Sequence, residues 1–267
     1  MMLRFFGLSR AKRWVRFGAK AGTVALVVIV SFAVVAQTKP LNDTGISFCG
    51  GATSGNNNPC LDTEPPGQDK NYGRDAAALS GTLPAKAGSS GGTNGFDFTK
   101  IANNGSVLPA SGVLGTGSTE WACTKDNVTG LVWEVKTTSG LRSQAHTYTW
   151  FKTGSPDGDG IVSGGTCATV GRCDTEKFVA DVGATTLCGY GDWRMPSVKE
   201  LEGIVDYGRT TVPVDSVFFP NTPSVFMWSG TPSPYASSHA WYVNFGRGDA
   251  YFTGRSGAYP VRLVRGG

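Results

Sequence analysis

Two rhythms of apolar residues run through the second half of the chain. Around Pro196 the sequence turns from loop to helix. Ser197 stands where an N-cap belongs and Glu200 follows three residues later, the pattern of a capping box. Leu201, Ile204 and Val205 then share one helical face, while Lys199, Glu200 and Glu202 point towards water. Upstream, Asp174 is placed to cap a second helix from Thr175 to about Ala184, with Phe178, Val179 and Val182 on its inner face. The other rhythm is shorter and strand-like. Leu131–Val135, Thr147–Phe151, Phe226–Ser229, Ala240–Phe245, Gly248–Phe252 and Val261–Arg265 are rich in aromatic and β-branched residues, and Gly, Ser and Pro separate them. Two helices among short strands predict an α+β domain whose mostly antiparallel sheet supplies the core.

Residues 37–118 have a different texture, rich in Gly, Ser, Thr, Asn and Pro. A short helix at Tyr72–Ala78 and a strand at Phe96–Ile101 interrupt it. The stretch reads as a poorly structured stalk or small cap with no large core of its own. Residues 1–36 carry six basic residues and no acid, then the apolar run Ala21–Ala36, ending in small residues suited to cleavage after Ala36. This is the pattern of a secretory signal, with an uncleaved membrane anchor as the alternative. It also changes the charge balance. The whole chain is at +4, but beyond the signal 18 basic residues face 20 acidic ones, a net of −2. That removes the electrostatic support for nucleic-acid binding.

Six cysteines, Cys49, Cys60, Cys123, Cys167, Cys173 and Cys188, all lie beyond the signal. In an exported chain they read as disulfides. Cys49 and Cys60 are expected to close a local loop. The other four allow three pairings, and sequence does not choose among them. No Cys-x-x-Cys pair suggests a metal centre. Neither histidine adjoins a cysteine, there is no Gly-x-Ser-x-Gly, and no phosphate-binding loop occurs, so no enzyme is expected. The one cation site suggested is calcium at Asp157 and Asp159 of Asp157-Gly-Asp-Gly160, since carboxylates two apart can share a hard cation. The plain alternative there is a glycine turn.

Among binding residues, Trp133, Trp193, Arg194, Trp228 and Trp241 are expected to be structural, with Arg194 tying loops through carbonyls or a carboxylate. Alternation along Ala240–Phe245 places Trp241 and Val243 on one face and Tyr242 and Asn244 on the other. With Trp241 in the core, Tyr242 and Asn244 become the exposed pair. Arg247, Arg255, Arg262 and Arg265 form a candidate patch for sulfate or carboxylate groups. The tyrosines Tyr235 and Tyr251 join the rings able to stack on sugars. Arg247-Gly-Asp249 spells an integrin-binding tripeptide where a glycine hairpin is the simpler expectation.

Thr129-Gly-Leu-Val-Trp-Glu134, Cys188-Gly-Tyr-Gly-Asp-Trp-Arg-Met-Pro196, Lys199-Glu-Leu201, Asp215 with Phe218-Phe-Pro220, Trp228-Ser229, Ala240-Trp-Tyr-Val-Asn-Phe245 and Val261-Arg-Leu-Val-Arg265 occur in that order. As a series, from residue 119 to the end, they resemble the Lcl C-terminal domain family, named after a collagen-like bacterial surface adhesin. Tyr72-Gly-Arg-Asp75 and Phe96-Asp-Phe-Thr-Lys100 look like segments that precede this domain in secreted relatives. The resemblance implies a bacterial protein that is secreted, periplasmic or at the cell surface. By analogy it implies a C-type-lectin-like fold and an extracellular glycan or surface protein as partner. The adhesin that names the family binds sulfated glycosaminoglycans. The Glu-Pro-Asn and Gln-Pro-Asp triplets of calcium-dependent lectins are absent. Two further readings are a structural envelope or pilus-associated component and, from an Arg-x-Pro run before a Glu-bearing helix, a formylglycine-generating-like enzyme. The cysteines do not fall where that enzyme's copper site would need them.

Overall fold

The structure, a computed structural model, describes residues 41–51, 56–57, 66–86, 89–155 and 158–266. The signal and Cys60 lie outside them. Two short strands, β1 (Cys49–Gly50) and β2 (Asn56–Asn57), pair antiparallel. Helix α1 (Gly73–Leu79) follows. Strands β3 (Ser90–Gly91), β4 (Phe98–Ala102), β5 (Trp121–Asp126) and β6 (Val132–Glu134) come next, then β7 (Tyr148–Thr149), α2 (Thr175–Ala184) and α3 (Val198–Glu202). The chain ends in β8 (Phe226–Pro232), β9 (His239–Asn244), β10 (Ala250–Gly254), β11 (Ala258–Tyr259) and β12 (Val264–Arg265). One sheet has the order β12-β6-β5-β4-β3, a second β10-β9-β8, and β7 pairs with β11; every pairing is antiparallel. This is the mixed, mainly antiparallel architecture that the alternating segments predict. Among the described residues no helix is long and apolar enough to cross a membrane.

Strands β4, β5 and β6, the start of β8 and most of β9 are buried on both faces. Val132, Trp228, Tyr242 and Leu263 enter one hydrophobic cluster, with Trp150, Tyr148, Phe178 and Trp193. Their neighbours Trp133, Met227, Val243 and Val264 enter a second, with Phe96, Phe98, Phe218, Phe219 and Leu201. A strand with one wet face would send only every second residue inward. Here successive residues are buried in turn, in different places.

The same packing corrects the reading of the upstream stretch. β4 is buried along its whole length and pairs with β5 from Phe98↔Asp126 to Ala102↔Trp121. Phe96 stacks on Phe98 at 5.6 Å, and Phe98 meets Phe219 edge-on at 5.0 Å. Residues 89–102 are therefore part of the sheet and its core, not of a loose stalk. The alternation of Phe96–Ile101 marks the strand itself, but not the pairing with β5 that draws it into the sheet.

Both helices start as read. The Asp174 side chain accepts from the Lys177 amide, and Ser197 and Glu200 cap each other reciprocally. Helix α3 is shorter than its pattern, because Gly203 caps it, yet Ile204 and Val205 remain buried in the turn beyond. Glu200 is also held by Arg194, whose two guanidinium nitrogens reach its carboxylate at 2.8 and 2.6 Å and whose Nη2 donates to the Gly266 carbonyl. Arg194 is thus the brace expected of it. Of the three pairings open to four cysteines, the structure has Cys123–Cys188 and Cys167–Cys173. The first ties β5 to the turn between the two helices. Cys49 is also disulfide-bonded, to a partner outside the described residues.

Buried charge completes the frame. Glu134 and Lys136 sit 3.2 Å apart with almost no exposure. Arg262, fully buried, donates to the Glu134 carbonyl and to Thr222 Oγ1, and lies over the Phe219 ring. Desolvation pushes the Lys136 ammonium down to about 8, although Glu134 pulls the other way.

Two outcomes test this frame. A bridge closing 65 residues restricts the unfolded chain more than one closing 6. Removing Cys123–Cys188 as a double serine variant should cost about 4 kcal/mol and removing Cys167–Cys173 about 2 kcal/mol, read from denaturant midpoints. Between pH about 8 and 10.5 the unfolded Lys136 holds its proton while the folded one loses it. This group's contribution to stability should therefore rise with pH across that window. The rise should vanish in Lys136→Arg, whose guanidinium stays charged there.

Candidate functional site

The β9–β10 hairpin organises the exposed chemistry. Its turn is Arg247-Gly-Asp249. Gly248 has φ +90°, and a Cβ there would meet the Tyr207 ring at 2.9 Å, so the position requires glycine. The Asn244 side chain closes the turn, donating to Asp249 Oδ1 at 3.1 Å and accepting from the Gly246 amide at 2.9 Å. The tripeptide is the hairpin turn that the glycine suggested, with Arg247 and Asp249 on its outer side.

The residues singled out for binding separate sharply. Tyr242 and Asn244 are buried, at 7% and 6% exposure, and Trp241 is only half-buried. This reverses the expected assignment. β9 is the central strand of its sheet, and the face of Tyr242 and Asn244 is roofed by Phe226, stacked on Tyr242 at 4.3 Å, and by Tyr259. The opposite face is covered at Val243 but open towards Trp241.

The arginine patch also does not assemble. Arg262 belongs to the buried frame. Arg255 is 2% exposed, lies over the Trp150 ring at 4.0 Å, and donates through Nε to the His239 carbonyl. Arg265 spans Asp192 with two bonds of 3.0 and 2.9 Å and covers Tyr190. Each bridges a loop to a strand by means of guanidinium's several donors. Arg247 alone of the four is exposed and forms no ion pair among the described residues.

Arg247 borders an open groove of about 690 Å³. Three distant stretches build it: Gln144 and Thr147 before β7, Pro223–Phe226 entering β8, and Ala258–Pro260 around β11. Phe226 and Tyr259 form an apolar wall, their centroids 5.4 Å apart, with Asn244 and Arg247 at the rim. Gln144, Phe226 and Tyr259 were missed by the sequence reading. Nothing local marks them, since only the packing of β7, β8 and β11 brings them together.

The other expectations are placed as follows. Trp133, Trp193 and Trp228 are core, and the Trp228 and Trp193 indole N–H groups donate to the carbonyls of Tyr148 and Tyr190. Asp157 lies outside the described residues. Asp159 is exposed, and its carboxylate accepts from the Gly154 amide within a tight loop. A second carboxylate group, Asp43, Asp69 and Asp75, brings ligand atoms within 4.8 Å of one another. Its buried member Asp75 is engaged by the Gly45 and Gly95 amides, and Asp43 by the Thr44 and Asp75 amides. These acids knot the 41–45 segment to α1.

A disulfide-stapled α+β domain with a mixed apolar and polar groove among its loops is the class that fold and site define. Residues 122–265 match the family model of the Lcl C-terminal domain, more than half the chain, and the protein belongs to that family. No curated protein and no solved structure matches it.

Trp228 and Trp241 should respond differently to truncation. Trp228→Ala removes a fully buried ring that is hydrogen-bonded through its N–H, and should cost about 3–5 kcal/mol. Trp241→Ala should cost about 1 kcal/mol and leave the fold intact, because its ring is partly solvated. Thermal melts followed by circular dichroism distinguish the two.

Proposed function

We propose that this is an exported bacterial protein whose C-terminal domain captures an extracellular ligand, in the manner of an adhesin, with no catalysis. The supporting observation is the groove that carries Arg247. There an unpaired guanidinium, an amide side chain and aromatic walls meet at the surface. Guanidinium matches planar oxyanions, so a sulfated or carboxylated glycan is the ligand class this rim suits. Family membership supports surface location, and the disulfides fit an oxidising compartment. The loops gathered around a two-helix frame suit a C-type-lectin-like arrangement, in which loops rather than the sheet meet the ligand.

The test is binding of the full exported chain to immobilised heparin at low and high salt, with and without chelator. Wild-type binding should weaken with salt. Arg247→Ala should weaken it by about 10-fold or more, the worth of one charge-assisted contact, without altering the melting temperature. Loss of binding on chelation would bring Asp157 and Asp159 into the site as calcium ligands. Absence of binding under every condition would overturn the glycan reading and leave a structural envelope component as the better account.

A further inference from the structure

A second exposed surface lies on the same hairpin. Phe252 of β10 stands opposite Trp241 of β9, so the two rings share a face of the sheet. Phe252 stacks with two tyrosines. Tyr251 stacks on it at 4.6 Å with planes 15° apart, and Tyr235, from the β8–β9 loop, at 5.2 Å and 25°. Trp241 and His239 meet Phe252 edge-on at 5.6 and 5.9 Å. The outer members of this stack are the most open. Tyr235 is 76% exposed and Tyr251 56%. Large rings left in water at this density cost apolar hydration that core packing would have relieved, and a patch of this kind marks a contact surface. The stack also holds its own members in place, so little side-chain freedom remains to be lost on binding.

Charge separates the candidate occupants. None of the five side chains is a carboxylate, ammonium or guanidinium group. Arg255, which follows β10, turns into the body of the protein, over Trp150 and onto the His239 carbonyl. The polar groups around the rings are neutral: tyrosine hydroxyls and Ser238, whose Oγ lies 3.0 Å from His239 Nδ1. A sulfated chain needs cations, and protein contact surfaces favour arginine among their anchors. Flat apolar faces edged with neutral hydrogen-bonding groups instead complement a sugar ring that presents C–H groups on its face and hydroxyls at its edge.

We propose that Tyr235, Phe252 and Tyr251, flanked by Trp241, form a stacking platform for an uncharged polysaccharide. This deepens the glycan-binding reading and rests on it for the ligand class, but uses residues and chemistry separate from the Arg247 groove. The two surfaces adjoin where Tyr251 pairs with Tyr242, the ring that packs on Phe226 of the groove wall. A chain lying across both would place uncharged rings on the platform and an acidic substituent near Arg247.

The experiment titrates the full exported chain with gluco-, N-acetylgluco-, xylo- and manno-hexasaccharides, reading intrinsic tryptophan fluorescence and calorimetry in parallel. At least one uncharged hexasaccharide is expected to bind with little dependence on salt. Tyr235→Ala and Tyr251→Ala should each weaken binding roughly tenfold, as loss of one stacked ring does, while Tyr235→Phe retains it. Arg247→Ala should leave this binding unchanged, as the tyrosine variants should leave heparin binding nearly unchanged, so the two readings fail separately. The platform assignment is overturned if no uncharged hexasaccharide binds. It is equally overturned if binding survives both alanine variants, or if sedimentation shows that the stack instead joins two copies of the chain.

Discussion

Val132 and Trp133 are neighbours in one strand, yet they point into different hydrophobic clusters. So do Met227 and Trp228, Tyr242 and Val243, and Leu263 and Val264. Burial on both faces of the strands is the constraint from which much else follows. A sheet covered on both sides has little room for polar side chains, so each charge on these strands must be satisfied internally or not exist. Glu134 and Lys136 meet this by pairing, and Arg262 by donating to a backbone carbonyl and a threonine. Replacing one member alone would leave the others as buried unpaired groups, which is far more costly than the net worth of the pair.

That constraint also explains why the arginines do not form a binding patch. Guanidinium, with five donors and a flat face, can stitch carbonyls together while lying against an aromatic ring. Arg255 over Trp150, Arg262 over Phe219 and Arg265 over Tyr190 repeat this geometry at three separate places. Such residues fasten loops to strands where no sheet ladder joins them. The disulfides serve the same end from another direction, pinning β5 to the turn after α2 and closing the loop before it.

The double burial ends at one sheet. The sheet of β8, β9 and β10 is covered at Val243 but open towards Trp241 and Phe252, and the edge strand β10 carries Tyr251 outward. The hairpin turn leaves Arg247 exposed, while Arg255 and Arg262 are taken up by carbonyls and rings and Arg265 by Asp192. One element therefore presents two kinds of chemistry, a cation over an apolar groove and a neutral stack of rings. Both project from a frame of buried, interlocking side chains.

The local chemistry of the chain determined a good deal by itself. The helix starts at Asp174 and Ser197, the strand segments, the bracing role of Arg194, the buried state of Trp133, Trp193 and Trp228 and the family resemblance all rest on contacts within a few residues or on an ordered set of motifs. Capping boxes and apolar periodicity are short-range physics, legible wherever they occur. Only the tertiary structure decided the cysteine pairing, the absorption of Phe96 and Phe98 into the sheet, the exchange of Trp241 for Tyr242 as the open ring, and the reduction of four arginines to one. The reason is common to all four. Alternation along a strand says that two faces differ, but not which face another layer will cover, and a guanidinium's sequence neighbours do not reveal the carbonyl waiting for it from a hundred residues away.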